Sequence, residues 1–436
     1  MTDGQETYQK SAQAFAKACS YLPGGVNSPV RAFGGLDAGP VFVAAAKGSK
    51  IYDIDGNEYI DYVCSWGPMI LGHAHPKVLK AIEAAARKGT SFGAPTLAET
   101  ELAEKVVAAF DSIEKVRLVS SGTEAVMTAI RLARGYMKKD LIVKMSGCYH
   151  GHSDSLLVAA GSGVAESATA SSAGVPDKIA KLTVVIPYND VDAVEAVFQK
   201  HKDKIAAVLV EPVAANMGVV PPVDGYLQAL RDLCEEEDCL LIFDEVITGF
   251  RVAYGGAQEL FGVKADITCL GKIIGGGLPA AALGGRADIM DMLAPIGPVY
   301  QAGTLSGNPI ATAAANATLE ILAKGDCYQK LESTAAMLEA GLAEAAREAG
   351  VPVTINRVGS LMSCFFTEKK VRNFADVQST NIGRFKRFFA EMLSRGIYLA
   401  PSVYEAMFVS LAHTQGDIEK TIKAAKNSFY RMKNEK

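Results

Sequence analysis

Short apolar segments alternate with helical segments along the middle of this chain, and this alternation limits its possible folds more than any other feature. Most of the apolar segments have strand length, and apolar residues recur at helical spacing in the stretches between them. Strands that alternate with helices favour an α/β fold with a mainly parallel sheet covered on both faces, whose ligands bind beyond the carboxyl ends of the strands. The predicted strands are 115–119, 141–145, 182–186, 206–210, 239–243 and 267–270, and the clearest predicted helices are 123–137, 191–201 and 225–236.

The two ends of the chain have a different pattern. Residues 51–60 are typical of two strands joined by a turn at Asp55-Gly56-Asn57, and a long amphipathic helix is predicted at 328–349. We therefore expect a large domain flanked by two end segments that together form a smaller lobe. The predicted boundaries are 1–64 for the N-terminal segment, 65–322 for the large domain and 323–436 for the C-terminal small domain.

Composition excludes several classes of protein. Hydrophobic residues make up 49% of the 436 residues, which excludes a disordered chain, and the net charge of −4 argues against a basic nucleic-acid-binding face. No apolar run approaches the roughly 18 residues of a membrane span. The eight cysteines form no CxxC pair, and the N-terminus has neither a signal-peptide core nor an Arg-rich transit pattern. We expect a cytoplasmic protein with reduced thiols.

Two charged residues lie at or just after the carboxyl ends of predicted strands. Asp244 ends the run CLLIFDE, where a carboxylate is costly unless it is paired; capping of the next segment and a metal site are the other interpretations. Lys272 lies among apolar residues and glycines in LGKIIGGGLP. A desolvated lysine has a lowered pKa and attacks carbonyl groups, whereas a solvated lysine in a glycine-rich turn is the plainer interpretation.

A phosphate site is predicted at the start of the helix 123–137. Ser121 and Glu124 have the spacing of a capping box, and Gly122 leaves backbone amides open to an anion, although capping alone would explain the pattern. Tyr149 follows the strand 141–145, where its ring either stacks on a planar cofactor or simply packs.

Four histidines occur in two HxH pairs, His73/His75 and His150/His152, and invite a zinc interpretation. Histidines two apart in a loop form no recognised zinc motif, and the chain contains no HExxH, so we expect no metal. The segment 159–175 is almost entirely Ala, Ser, Gly and Thr. It is either a solvated loop or a mobile lid over an active site.

The candidate residues converge on one cofactor. A nucleophilic lysine, an aspartate for a pyridinium nitrogen, a phosphate cradle at a helix N-terminus and a stacking aromatic ring are together what pyridoxal 5'-phosphate requires. The motifs are SSGTEA at 120–125, FDEV at 243–246 and LGKIIGGGLP at 270–279. Through them the chain resembles the fold type I pyridoxal-phosphate enzymes of aminotransferase class III.

Further blocks make the resemblance narrower. They are PGGVNSPVRAF (23–33), SWGPMILGHAHP (65–76), KGTSFGAP (88–95), GCYHGHSD (147–154), EPVAANMG (211–218), YQAGTLSGNP (300–309) and GIYLAPSVYEAMFVSLAHT (396–414). In these blocks the chain is similar to the glutamate-1-semialdehyde 2,1-aminomutases.

The resemblance implies a role for each matching residue. Lys272 would bind the cofactor covalently and move protons, Asp244 would pair with its ring nitrogen, and Asn216 would bond the ring hydroxyl. Tyr149 and Val246 would enclose the ring, Ser121, Gly122 and Thr123 would bind the phosphate, and Thr304 would reach the phosphate in the partner subunit of an obligate homodimer. For the substrate, Ser28 and Arg31 would hold the carboxylate, Trp66 would line the channel, Ser162 would lie in a mobile loop, and Glu405 would act as a gate.

The implied reaction is an intramolecular amine exchange. It would convert glutamate 1-semialdehyde to 5-aminolevulinate through 4,5-diaminovalerate in tetrapyrrole biosynthesis, using the pyridoxal and pyridoxamine forms of the cofactor, and glutamyl-tRNA reductase is an implied partner. The alternative within the class is an ω-aminotransferase that uses 2-oxoglutarate. A non-enzymatic domain that only binds the cofactor is disfavoured because Lys272 and Asp244 are both present.

Overall fold

The computed structural model of the protein describes residues 8–36, 38–159 and 169–434. They divide into two units. The terminal unit contains the described residues up to 75, residues 329–371 and those from 377 onward. The central unit contains residues 76–328 and 372–376.

The strands, numbered along the chain, are β1 Val43–Lys47, β2 Lys50–Asp53, β3 Glu58–Asp61, β4 Lys115–Val119, β5 Leu141–Met145, β6 Val158–Ala159, β7 Thr169–Ala170, β8 Thr183–Ile186, β9 Ile205–Val210, β10 Leu240–Glu245, β11 Ile267–Leu270, β12 Ala281–Gly285, β13 Thr354–Val358, β14 Leu361–Phe365, β15 Ile397–Tyr398 and β16 Met407–Phe408.

The α-helices are α1 Gln9–Cys19, α2 Pro76–Ala86, α3 Leu97–Ala109, α4 Gly122–Met137, α5 Asp177–Ala180, α6 Val191–Lys200, α7 Tyr226–Glu236, α8 Gly256–Phe261, α9 Ala287–Met290, α10 Pro309–Leu322, α11 Cys327–Ala349, α12 Phe374–Gln378, α13 Ile382–Leu393 and α14 Gln415–Asn434. Short 3₁₀ helices occur at Pro23–Gly25, Pro29–Ala32, Cys64–Trp66 and Lys272–Gly275.

A seven-stranded sheet forms the core of the central unit, with the order β4-β12-β11-β10-β9-β5-β8. Strand β12 runs antiparallel to both of its neighbours, and the other pairs are parallel. Every residue of β9, β10, β11 and β12 is buried, so both faces of the sheet are covered. The predicted α/β class with a mainly parallel sheet is confirmed.

The predicted strands of the central sheet all occur, with ends that shift by no more than two residues. The strand that the periodicity did not predict is β12, whose sequence is AALGG. Alanine and glycine have low strand propensity, and the segment forms a strand because β4 and β11 hold it on both sides. Propensity is overridden here by tertiary pairing.

Two small sheets build the terminal unit. In the first, β1, β2 and β3 pair antiparallel, and β15 from the C-terminal part adds parallel to β3. In the second, β13, β14 and β16 pair antiparallel. Helix α13 packs on α14, where the rings of Phe388 and Phe429 stack with centroids 4.7 Å apart.

Within the part of the chain that the structure describes, none of the helices combines the length and the apolar character that crossing a bilayer demands.

A buried histidine makes the terminal unit sensitive to acid. Burial lowers the pKa of His413 to about 4 from its ordinary value of 6.5. The His413 Nδ1 atom accepts a hydrogen bond from the Ser410 backbone N–H at 3.0 Å. Because the folded state binds fewer protons than the unfolded state between these two pKa values, its stability falls as the pH drops through this window.

We expect this group to remove on the order of 3 kcal/mol of stability between pH 6.5 and pH 4, measured from denaturant midpoints at a series of pH values. Substitution His413→Gln should flatten this part of the profile, whereas His152→Gln, at an exposed histidine, should leave it unchanged. Parallel profiles for the wild type and His413→Gln would contradict the assignment.

Candidate active site

Reactive and polar residues gather at one edge of the central sheet. They follow the carboxyl ends of β4, β5, β9, β10 and β11, which all point the same way. In the sheet register, Asp244 lies opposite Cys269 on β11, and Phe243 lies opposite Val210 on β9. These strands therefore end at nearly the same level, and the residues that follow them form one site.

Asp244 and His150 form a buried pair at this edge. His150 Nδ1 lies 2.7 Å from Asp244 Oδ2, and both side chains are buried. An ionised carboxylate only accepts, so Nδ1 carries the hydrogen. Asp244 Oδ1 accepts the backbone N–H of Val246 at 3.1 Å. Both carboxylate oxygens are therefore held, and Asp244 caps the following turn as well as pairing with a histidine.

The start of α4 forms the predicted capping box. Ser121 Oγ accepts the Glu124 backbone N–H at 3.2 Å, and the Glu124 carboxylate accepts the backbone N–H groups of Ser120 and Ser121 at 2.6 and 3.0 Å. Among the described residues, the backbone N–H groups of Gly122 and Thr123 have no partner. Unpaired amides at a helix N-terminus attract anions.

Val246 brings three of these strand ends together. A Cβ atom added to Gly122 or to Gly271 would lie 3.1 Å from a methyl group of Val246. Gly151, with φ +85°, lies so close to Thr123 that a Cβ there would be 2.6 Å from Thr123 Oγ1. The glycines thus let the turns after β4, β5, β10 and β11 close around a small cradle.

Lys272 begins the 3₁₀ turn after β11 and has a left-handed backbone conformation, with φ +49°. A non-glycine residue in this region stores strain, which is a common property of functional positions. Lys272 is half-buried, so the interpretation as a fully solvated turn lysine is wrong. Since β11 pairs with β10, Lys272 follows the strand next to the one that carries Asp244.

Tyr149 and Asn216 are joined by a buried carboxylate. Glu211, directly after β9, accepts the Tyr149 backbone N–H and the Ala215 backbone N–H, each at 2.9 Å. The Asn216 side-chain Nδ2 lies 3.1 Å from both Glu211 oxygens. The Tyr149 ring is 51% exposed, which argues against a purely packing role for it.

The histidines of the two HxH pairs have different partners. In the terminal unit, His73 Nε2 bonds Asp61 Oδ2 at 2.7 Å, while His150 pairs with Asp244 in the central unit and His152 is exposed. Possible ligand atoms of Cys148, His150 and Glu211 lie within 4.8 Å of one another. The Glu211 oxygens already accept three N–H groups and His150 Nδ1 is held by Asp244, so this arrangement favours a hydrogen-bonded network over a cation site.

The predicted cofactor and substrate residues lie in different units. The cofactor residues from Ser121 to Lys272 meet at the sheet edge, and Thr304 is exposed in the same central unit. The substrate residues Ser28, Arg31, Trp66 and Glu405 belong to the terminal unit. Ser162 lies outside the described residues, as does the middle of the small-residue segment 159–175.

Trp66 lies in a strained turn. Cys64, Ser65 and Trp66 have φ angles of 47°, 55° and 68°, three consecutive left-handed residues without glycine. Asp61 supports the start of this turn by accepting the backbone N–H groups of Val63 and Cys64.

Two buried polar residues near the site, Lys144 and Glu211, were missed as functional candidates in the sequence, and His150 was considered there only as a metal ligand. The rule that identified Asp244, a carboxylate at the end of an apolar strand, applies equally to Glu211 after AAVLV. A lysine inside the strand LIVKM is a comparable signal. The role of His150 has no sequence signal, because only folding places it beside Asp244.

The residues at this edge fit pyridoxal 5'-phosphate. The open amides of Gly122 and Thr123 suit a phosphate, and a side chain at either glycine beside Val246 would fill the cradle. Asp244 is a fixed carboxylate suited to a pyridinium nitrogen, and Lys272 supplies an amine one strand away.

Comparison with known proteins agrees with this geometry. A sequence model of the family described as "Aminotransferase class-III" matches residues 35–426. The chain belongs to the aminotransferase class-III family. Among class-III relatives, the glutamate-1-semialdehyde 2,1-aminomutase of Desulforamulus reducens is 55% identical, with 97% of this chain and 98% of the relative covered. The family resemblance predicted from the motifs is confirmed.

Solved structures of this class share the fold. An omega-transaminase from Sphaerobacter thermophilus has a TM-score of 0.90 and 32% identity, covering 97% of this chain and 98% of that one. A glutamate-1-semialdehyde aminomutase from Pseudomonas aeruginosa PAO1 has a TM-score of 0.88 and 27% identity, covering 97% and 95%. A second structure of that aminomutase carries a lysine-to-alanine substitution and is in complex with PMP.

Proposed function

We propose that this protein is a glutamate-1-semialdehyde 2,1-aminomutase, an isomerase that converts (S)-glutamate 1-semialdehyde to 5-aminolevulinate through 4,5-diaminovalerate in tetrapyrrole biosynthesis. The observation that carries the proposal is the placement of Asp244, paired with His150, one strand away from Lys272 at the sheet edge. The substrate is assigned from relatives of that name at 54–56% identity over nearly the whole chain.

Each residue at the sheet edge has a task in this reaction. Lys272 would bind the cofactor covalently and move protons at the carbon atoms of the substrate, and Asp244 would keep the ring nitrogen protonated. Asn216 would bond the ring hydroxyl, and Tyr149 and Val246 would enclose the ring. Ser121, Gly122 and Thr123 would bind the phosphate at the start of α4. Pyridoxal or pyridoxamine 5'-phosphate, when bound, supplies an electron sink and carries the amine.

A second set of predicted residues would recognise the substrate. Arg31 and Ser28 would hold the substrate carboxylate, because a guanidinium binds a carboxylate through two parallel hydrogen bonds. Trp66 would line the channel, Glu405 would limit access by other carboxylates, and Ser162, which lies outside the described residues, would contact the substrate. Retention of the diamine matters because its loss would leave the enzyme in the aldehyde form.

A homodimer with shared active sites is part of the proposal. Thr304, assigned to the phosphate of the partner subunit, is exposed in the single chain. Exposed apolar side chains occur near it in sequence, at Tyr300 (72% exposed) and Leu305 (55% exposed). Such side chains are typical of interfaces between subunits. We also propose a cytoplasmic location and glutamyl-tRNA reductase as the source of substrate.

The deciding experiment supplies glutamate 1-semialdehyde as the only substrate to the purified protein loaded with pyridoxamine phosphate. We expect 5-aminolevulinate to form in many turnovers per site without any added amino donor or 2-oxo acid. A strict requirement for 2-oxoglutarate would instead identify an ω-aminotransferase, the alternative that shares this fold.

Arg31 offers a test of substrate recognition with little risk to the fold. Its side chain is exposed and, among the described residues, makes no hydrogen bond or ion pair. Substitution Arg31→Leu should raise KM about 10- to 100-fold, because a charge-assisted contact to the substrate carboxylate is lost, with a smaller effect on kcat. Arg387→Leu, at another exposed arginine of the terminal unit, is the matched control. An unchanged KM in Arg31→Leu would show that another group holds the carboxylate.

A further inference from the structure

Glu211 is a buried carboxylate that bonds to two separate loops of the proposed cofactor site. It follows β9, and only 3% of its surface is exposed. From the loop after β5 it accepts the Tyr149 backbone N–H, and from its own loop it accepts the Ala215 backbone N–H and the Asn216 side-chain amide.

We infer that Glu211 is a positioning residue that holds the two cofactor-facing residues Tyr149 and Asn216 in place through a single buried carboxylate. The inference rests on the proposed function, because that proposal assigns Tyr149 and Asn216 to the ring of the cofactor. Glu211 itself is assigned no contact with cofactor or substrate.

The donor pattern requires a carboxylate at this position. The three groups that face Glu211 are all N–H donors, and an ionised carboxylate has only acceptor sites. A glutamine at position 211 would offer only one acceptor oxygen. Its NH₂ group would face one of the three N–H donors, and two donors cannot form a hydrogen bond with each other. The carboxylate also fixes the orientation of the Asn216 side-chain amide. Because the carboxylate only accepts hydrogen bonds, it binds the Nδ2 end of the amide. Oδ1 and the second N–H hydrogen of Asn216 are then left for another partner.

Neighbouring charges make the buried carboxylate tolerable. Burial raises the pKa of Glu211, while the nearby His150 acts in the opposite direction. Lys144 is also buried, its ammonium donates to the carbonyl oxygens of Cys148 and Leu156, and it interacts electrostatically with Glu211 and Asp244. The nearby Asp244 also raises the pKa of Glu211, and the Tyr149 and Ala215 backbone N–H groups join His150 in offsetting part of the cost of burial.

The chain contains a matched control. Glu245 is equally buried, its pKa is also raised by burial, and its carboxylate accepts N–H or O–H groups of Thr248, Ala257 and Gln258. Those partners belong to the start of α8 and its preceding turn, not to the proposed cofactor groups. Glu211→Gln and Glu245→Gln therefore remove the same charge from equally dry surroundings.

The first test is hydrogen exchange on the full chain without cofactor. Glu211→Gln should speed exchange of the Tyr149 and Ala215 amides, and Glu245→Gln should speed exchange of the Ala257 and Gln258 amides. Unchanged exchange at both Tyr149 and Ala215 in a folded Glu211→Gln protein would overturn the inference. This result does not depend on which reaction the protein catalyses.

The second test is titration with pyridoxal 5'-phosphate, followed by absorption. We expect Glu211→Gln to bind about tenfold more weakly, as for the loss of one charge-assisted contact, and to shift the absorption maximum. Glu245→Gln should leave the maximum in place; equal shifts in both variants would overturn the inference. A wild-type protein that fails to bind the cofactor would refute the proposed function instead.

A third set of variants keeps the inference testable if Glu211→Gln does not fold. Glu211→Asp retains the charge but is shorter by one methylene, so it should show the same spectral shift with a smaller loss of affinity. If Glu211 acts through Asn216, the affinity losses of Glu211→Asp and Asn216→Ala should be less than additive in the double variant. Full additivity, or a Glu211→Asp protein identical to the wild type, would contradict the positioning role.

Discussion

Replacement of Lys272 by alanine should lower the turnover of glutamate 1-semialdehyde by at least about 10⁴-fold, because it removes both the proposed nucleophile and the group that moves protons. The side chain is half-buried just after β11, and among the residues that the structure describes no other lysine directly follows a strand at this edge. The measurement is kcat for 5-aminolevulinate formation, with Lys272→Arg as the variant that retains the charge but not the nucleophilic amine.

Covalent attachment provides a second readout for Lys272. After borohydride reduction, the peptide that contains Lys272 should carry the mass of the cofactor in the wild type, and neither variant should carry it. Lys264→Ala, at an exposed lysine that pairs with Asp111, should behave like the wild type. Normal turnover in Lys272→Ala would remove the central residue of the proposed mechanism.

Substitution of Asp244 by asparagine has the next largest expected effect. The change keeps the shape of the side chain but removes the negative charge that would keep the ring nitrogen protonated. An adjacent opposite charge shifts the pKa of a titrating group by about 1–3 units. We expect kcat to fall by at least about 100-fold, and the pH dependence of the cofactor absorption to shift to lower pH.

The matched control for Asp244→Asn is Asp266→Asn. Asp266 is also buried in the central unit, where it pairs with Arg231 and Arg286, but it precedes β11 and so lies at the amino end of that strand. Its substitution should lower stability without moving the spectrum. If the two variants had equal effects on kcat, the loss at Asp244 would reflect general destabilisation.

His150 gives the buried Asp244 carboxylate one of its two hydrogen-bond partners. Its Nδ1–H donates to Asp244 Oδ2, and the Val246 backbone N–H donates to Oδ1. An aspartate buried without partners would neutralise instead. The sequence indicates that Asp244 needs such a partner, but no local pattern identifies His150 as that partner.

The repeating pattern of the chain was enough to predict the central sheet. Continuous apolar strands of four to six residues, separated by amphipathic helices, have few arrangements in which every apolar face is buried. Strand β12 was the exception, since Ala281–Gly285 has the composition of a loop and forms a strand only because two neighbours pair with it. Alanine-rich helices such as α10 give similarly weak local signals.

The sequence by itself determined the α/β class, the capping box at Ser121, the placement of Asp244 at the carboxyl end of a strand and that of Lys272 just after one, because these depend on residues close together in the chain. Only the tertiary structure decided which strands are neighbours. It thereby showed that His150 holds Asp244, that Val246 contacts the turns of Gly122 and Gly271, and that Glu211 joins Tyr149 to Asn216. The longest of these direct contacts, between Gly122 and Val246, joins residues 124 positions apart along the chain. Strand order sets them, and no local pattern encodes strand order.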